Sequence, residues 1–427
     1  MVATMLPATA EPVPAQVTAA DPVTPPPPPD NYVPQPGLLF NHPYAADRGQ
    51  IHRHVLRMIR STPSGSTIRM AAFAVGAKSI VDALVAARNR GVSVQVIGDA
   101  HLVDPKHKLY SRDFVRLRRT LGRDHAKPSW AMICSRSCRG TGGNTHTKMY
   151  LFDNVTGVRW VSVTGSANLT SMAVRGQWNH ANTVIDKESY DRLLTVFYQM
   201  AEDTPADPLT LQWSTAPMGM QWVFPMPNIT VANDPVADVL RKVQCWVPQP
   251  DGTQRRTKIR VNMYAWFDSR GIYLAKMVRS LWDQGCDVAI LIGVGSKSTR
   301  GILRSRGGRG PIPAKRVAVH NSRGELVKYN HSKVLTVSGM YDGNPNANVI
   351  VTGSCNFTNQ GNYSDEWTQI YQSAADVAAY NADFDRTWRE RVPKAWRTVS
   401  AFQSRIDALS DDSPTLGEGK LWRAEAD

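Results

Sequence analysis

The stretch His146–Asn168, HTKMYLFDNVTGVRWVSVTGSAN, decides how this chain is read. It opens with a histidine and a lysine two positions apart, passes through an apolar run to a turn at Asn154–Gly157, and returns to Gly165-Ser166-x-Asn168. Side chains alternate across a strand, so His146 and Lys148 share one face, and the return strand brings Ser166 and Asn168 beside them. The chain does this twice. His331 and Lys333 lead into VLTV, a loop, NVIVT and then Gly353-Ser354-x-Asn356. A single H-x-K pair is what any strand with a polar face supplies, whereas two copies trailed by G-S-x-N at similar distance are specific.

The flanking sequence repeats as well. In the first half a helical stretch, Ala46–Ser61, precedes the strand-like TIRMAAFAV, an amphipathic helix over Ser79–Arg90, Gly91 as its stop, and VSVQVIGD. In the second, Pro235–Gln244 precedes KIRVNMYAWF, a helix over Gly271–Gln284, Gly285 as its stop, and CDVAILIG. Glycine after a helix supplies the left-handed cap. Further helices, Lys187–Asp203 and Ala374–Arg391, close the two halves. Helices between strands imply crossover connections, hence mainly parallel pairing with helices packed on the sheet. The expected fold is α/β: two similar sandwich domains, residues 38–204 and 227–398, related by a pseudo-twofold axis with the site at their interface. A proline-bearing linker, 205–226, joins them, and residues 399–427 form a peripheral tail.

Two copies of H-x-K with G-S-x-N resemble the phospholipase D superfamily of phosphodiesterases. The first copy has the full pattern, with Asp153 five residues beyond Lys148; in the second, Ser338 stands at that place. The resemblance implies that His146 attacks phosphorus to give a phosphohistidine while His331 protonates the leaving alkoxide and then activates water. The residues alone leave the two histidines interchangeable. A phosphodiester repels anionic nucleophiles, which suits neutral imidazole, and cations stabilise the charge that builds on its oxygens. Lys148, Lys333, Asn168 and Asn356 are expected to bind the non-bridging oxygens, with Ser166 and Ser354 holding the network. These groups take the place of a metal ion or cofactor. In this family an acidic residue downstream of G-S-x-N orients the histidine. After Asn356 the candidate is Glu366, and after Asn168 the matching place holds His180. Asp153 is expected to hold the turn beyond the lysine, a role open to Ser338 too.

A net charge of +14 favours an anionic partner, whether a phosphodiester, nucleic acid or an acidic membrane surface. Two basic insertions precede the motifs. The first carries Lys106, Lys108, Arg112, Arg116, Arg118, Arg119 and Arg123. The second, Lys297–Arg316, is glycine-rich, lacks acids and offers Arg300, Arg304, Arg306 and Arg309 for gripping substrate. A solvated loop is the alternative for each. No run approaches the roughly 20 apolar residues that span a bilayer. MVATMLPATA ends in a small-residue pattern, Ala8-Thr9-Ala10, and residues 11–37, with five prolines from Pro25 to Pro29, read as an extended tether without a core. An exported protein is the expectation. Cys134 and Cys138, flanking Ser-Arg-Ser ahead of His146, would there form a disulfide bracing the loop into the site. Cys245 and Cys286 pair if the fold brings them together, and Cys355 reads as a small buried residue. Zinc is poorly served, because no second close ligand pair is present.

Phospholipid is the leading substrate, with peripheral membrane contact and the aromatic residues Trp213, Trp222 and Phe224 near the join compatible with it. A secreted, metal-independent nuclease is the competing expectation, which the basic insertions fit. A phosphate-binding protein without turnover is a third. Both motifs lie in one chain, so a monomer is expected.

Overall fold

The computed structural model describes residues 30–322 and 325–390. The expected export-signal stub, most of the proline-rich tether and the expected tail lie outside the described residues. In the first half the elements run β1 (Gly37–Asn41), α1 (Gln50–Ser61), β2 (Thr67–Ala72), α2 (Lys78–Asn89), β3 (Ser93–Asp99), α3 (Arg112–Leu121), β4 (Trp130–Cys134), β5 (Lys148–Val155), β6 (Val158–Gly165), α4 (Ser171–Arg175), β7 (Gln177–Ile185) and α5 (Lys187–Ala201). Helix α1 buries Ile51, Val55, Met58 and Ile59 at helical spacing, and α2 buries Ile80, Val81, Leu84 and Ala87. Both stripes meet Ile68, Met70, Val94 and Val96 on one face of the sheet. The other face, with Ala71, Ile97 and Leu151, is covered by Leu193, Val196 and Phe197 of α5.

The second half continues through β8 (Leu211–Thr215), β9 (Gly219–Val223), α6 (Pro235–Arg241), β10 (Val243–Gln244), β11 (Trp246–Pro248), β12 (Gln254–Arg256), β13 (Lys258–Trp266), α7 (Asp268–Asp283), β14 (Asp287–Gly295), α8 (Lys297–Leu303), β15 (Ala314–Arg316), β16 (Ala318–His320), β17 (Leu326–Asn330), β18 (Lys333–Tyr341), β19 (Asn344–Gly353), α9 (Asn359–Tyr363), β20 (Trp367–Gln372) and α10 (Ala374–Arg389). Its register copies the first. Strand β2 lies parallel to β3 and antiparallel to β5, with Ala72 opposite Lys148. Strand β13 lies parallel to β14 and antiparallel to β18, with Met263 opposite Lys333. The fold is thus two similar α/β sandwiches in one chain.

Four features depart from the sequence reading. The sheets are not mainly parallel: β5, β6 and β7 pair antiparallel, as do β18, β19 and β20, because tight turns and the G-S-x-N loop connect them instead of crossover helices. The expected linker holds the β8–β9 hairpin, which extends the second sheet by pairing β9 with β20. The segment before the second motif crosses over, so that β17 pairs parallel with β7 of the first sheet. The expected coreless tether also ends early. Tyr32 is bonded through its backbone to Ser61 and through its hydroxyl to His54, and β1 pairs along β7.

Two disulfides form, Cys134–Cys138 and Cys245–Cys286, and Cys355 is a buried free thiol. Beneath the second motif lies a buried ion pair. Asp234, the N-cap of α6, receives the Arg270 guanidinium at 2.9 and 3.2 Å, and Arg270 also donates to the Asn356 carbonyl. Removing one partner of such a pair strands the other charge. Asp234→Ala should therefore cost about 3–5 kcal/mol in urea unfolding, against under about 0.5 kcal/mol for Glu188→Ala on the exposed face of α5.

Candidate active site

His146 and His331 stand two residues ahead of the point where each motif strand begins its ladder, and both imidazoles are fully buried. Each is held by the opposite half. The His146 backbone N–H donates to the Asp365 carbonyl at 3.1 Å, and its Nδ1 meets the Glu366 carboxylate at 2.6 Å. The His331 backbone N–H donates to the Trp178 carbonyl at 2.9 Å, and its Nδ1 meets the Asn179 side-chain oxygen at 2.9 Å. Hydrogen bonds across the junction therefore hold both histidines, although they lie far apart in sequence. Acceptors at both Nδ1 atoms place the proton there and direct Nε2 toward chemistry.

The glycines of the two G-S-x-N segments have φ of 153° at Gly165 and 142° at Gly353. A Cβ at either would lie 2.5 Å from the His180 carbonyl or 2.2 Å from that of Trp367. Glycine thus lets the strands close tightly enough for the next serine to act. Ser166 donates to Asn179 and accepts from the His180 N–H; Ser354 donates to Glu366 and accepts from the Trp367 N–H. The serines fix the groups that fix the histidines. Asn168 and Asn356 accept through their side-chain oxygens from the N–H groups of Ala74 and Ala265, so each amide nitrogen turns away from that contact. The Nδ2 of Asn168 is buried without a hydrogen-bond partner, as suits a donor reserved for a phosphoryl oxygen. Lys148 and Lys333 are bonded to the carbonyls of their own motif histidines and lie over the rings of Phe73 and Tyr264.

Burial pushes Glu366 up to about 7, against the pull of Lys148 and of the Ser354 hydroxyl. Burial likewise raises its neighbour Asp365 to about 7, although Ser137 and the N–H groups of Cys138 and Arg139 donate to that carboxylate. Ser137 and Cys138 belong to the loop closed by the Cys134–Cys138 disulfide, and Arg139 follows it directly.

A family model described as the PLD-like domain of cardiolipin synthase matches residues 55–201 and 253–388, which together make up more than half of the chain. The chain belongs to the phospholipase D superfamily. As a member, it is a phosphoryl-transfer enzyme of the phosphodiesterase kind. Solved structures share the fold. A phosphatidylserine synthase from Haemophilus influenzae superposes with a TM-score of 0.56 at 12% identity, covering 88% of this chain and 94% of that one. A polyphosphate kinase from Porphyromonas gingivalis gives 0.52 at 13% identity, covering 83% of this chain, which spans half the length of that kinase. Nuc from Salmonella typhimurium, a phospholipase D family member, aligns over 39% of this chain at 21% identity with a TM-score of 0.30. No curated protein matches by sequence.

The pattern named Glu366 and His180 as the orienting residues, and in the structure each histidine takes its partner from the other half. Glu366 serves His146, and Asn179 takes the place expected for His180. Register explains the shift: Gly353 pairs with Thr368 and Gly165 with Ala181, so the residues two positions before those partners, Glu366 and Asn179, are equivalent. His180 points instead to Thr352 at 2.8 Å, and burial holds it down at about 3, neutral throughout the working range. Asp153 accepts from the Thr67 N–H at the start of β2, outside the histidine network.

The second basic insertion is put together differently from the expected phosphate grip. Its carbonyls at Ser305, Gly307 and Gly310 wrap the Arg279 guanidinium. Arg309 stacks 3.9 Å over Trp282 and donates to the carbonyls of Trp282 and Cys286, so it braces α7. Arg300 is half-buried on α8, and Arg304 and Arg306 are exposed. In the first insertion α3 buries Phe114 and Leu117, while Arg116 pairs with Asp82 and Asp113. Phe224 is buried, and Trp213 and Trp222 are half-buried on the hairpin, so they form no exposed aromatic patch.

The raised carboxylate sets a sign for pH. Glu366 accepts from His146 as an anion, so this support is present above about 7 and is lost as pH falls through that value. Its effect on stability runs the other way: the folded state favours the neutral acid, so stability from this group is full below 4.5 and lost as pH rises through about 7. Glu366→Gln should lower kcat by about 10²-fold, remove the acid limb of the kcat/KM profile near neutrality, and flatten the decline in melting temperature over the same range.

Proposed function

We propose that this protein is a phospholipase D-type hydrolase that cleaves the headgroup ester of a phospholipid, leaving phosphatidic acid, through a covalent phosphohistidine. The supporting observation is the crossed pair of buried imidazoles, each fixed at Nδ1 by the other half. His146 is the nucleophile in this reading. Its ring gains positive charge as Nε2 bonds to phosphorus, and the Glu366 carboxylate at Nδ1 stabilises that charge better than the neutral amide of Asn179 could. His331, with Asn179 behind it, gives its proton to the departing alkoxide and takes one from the water that frees His146. Lys148, Lys333, Asn168 and Asn356 receive the non-bridging oxygens, whose charge rises toward the transition state.

The lipid assignment draws on the cardiolipin synthase domain description and on a phosphatidylserine synthase of the same fold. Export fits a chain in which four of the five cysteines are paired. A nuclease is the second reading, favoured by the net charge of +14.

With EDTA present, phosphatidylcholine vesicles should yield phosphatidic acid and choline while supercoiled plasmid stays intact; the reverse pattern selects the nuclease. His146→Ala and His331→Ala should each lose about 10³-fold or more in kcat on the ester that is cut. Undiminished turnover in either variant would remove the phosphohistidine mechanism. With a phosphate-labelled 4-nitrophenyl diester, whose leaving group needs no proton, alkali-quenched His331→Ala should retain label on His146.

A further inference from the structure

The first half carries a second imidazole beside the reaction centre that the chemistry above does not use. His101 follows the end of β3, is 4% exposed, and its Nδ1 lies 2.7 Å from Asp99 Oδ1. The other oxygen of Asp99 accepts from the N–H of Thr145, the residue before His146, at 3.0 Å. Phe73 joins the two rings, with its centroid 4.3 Å from that of His101 and 5.2 Å from that of His146. Those contacts keep the imidazoles within about 10 Å of each other. His107, half-buried, extends the row outward at 5.3 Å from His101. The Nε2 of His101 is buried and has no hydrogen-bond partner. An uncompensated buried nitrogen is costly, and such groups are retained where a ligand completes them.

The second half has no counterpart. Ala72 and Met263 occupy matching places, so Asp99 corresponds to Gly293, where a Cβ would meet the Asn330 carbonyl at 2.8 Å. The dyad is therefore an addition on the His146 side alone.

We propose that Asp99 and His101 form a subsite for a hydroxyl group on the part of the substrate that stays bonded to phosphorus. The inference rests on the phosphohistidine reading. While phosphorus is bonded to His146 Nε2, its retained substituent stays near that histidine's neighbours, and the leaving group departs toward His331. With Nδ1 committed to the Asp99 carboxylate, Nε2 is the nitrogen left to meet a ligand, and a hydroxyl bonds to it as the donor. A glycerol hydroxyl left free by the loss of one acyl chain, as in a lysophospholipid, has this chemistry, and an ester-capped glycerol does not. The site therefore favours monoacyl over diacyl substrates. Sites built to bond a substrate hydroxyl reject the analogue that lacks it far more strongly than apolar pockets discriminate by size.

Two soluble diesters test this, 4-nitrophenyl phosphoglycerol and 4-nitrophenyl propyl phosphate, which share a leaving group and differ in the hydroxyls of the retained part. Wild-type protein should favour the glycerol ester by about tenfold or more in kcat/KM, and His101→Phe, which keeps a ring against Phe73, should collapse that ratio toward one. Inhibition of the wild type by glycerol 3-phosphate against propyl phosphate reads the same preference without a variant. Release of nitrophenolate with no hydroxyl preference, or a ratio unchanged in His101→Phe because both esters slow together, overturns this inference alone. No release from either ester by the wild type overturns it together with the phosphodiesterase reading.

Discussion

Two hydrogen bonds that cross the junction, Glu366 to His146 and Asn179 to His331, are the constraint on which the rest of the site depends. An imidazole works as nucleophile or proton carrier only if its tautomer and ring plane are fixed, and here each half supplies that fixing to the other. Neither half holds a complete site. The arrangement also places a carboxylate in a dry interior, where ionisation is resisted by burial and favoured by Lys148 and Ser354. The balance leaves Glu366 near neutrality, able to respond as its histidine gains and loses charge.

The architecture converges on those two bonds. Strand β17 leaves its own half to pair with β7 and delivers His331 beside Trp178 and Asn179. On the other side the residues before His146 form a bridge with Asp365, whose carboxylate sits in the disulfide-closed loop. The tight glycines at 165 and 353 let the strands that carry Asn179 and Glu366 approach closely enough for the serines to lock them.

Much of this was legible in the sequence because it is local. Helical stripes such as Ile51, Val55, Met58 and Ile59, glycine stops at Gly91 and Gly285, and the spacing of H-x-K and G-S-x-N all lie within short windows. What depended on pairing between distant segments was not legible. The β8–β9 hairpin lies in a proline-bearing stretch that resembles a join, and only its docking on β20 makes it sheet. Asn179 has no sequence signature, because a neutral amide shows nothing of its role, and its one-residue offset from His180 is settled by the register of β6 on β7. The arrangement of the arginine-rich loop is hidden for a related reason. Its composition suits phosphate, but its carbonyls face Arg279.

The crossed bonding also bears on how two similar halves come to differ. Were the halves separate identical chains meeting as a symmetric pair, any change after G-S-x-N would alter the support of both imidazoles at once, and the two would stay equivalent. Covalent fusion removes that coupling. One position can hold a carboxylate and its twin an amide, so the two histidines become free to specialise, and Glu366 opposite Asn179 is the trace such specialisation leaves.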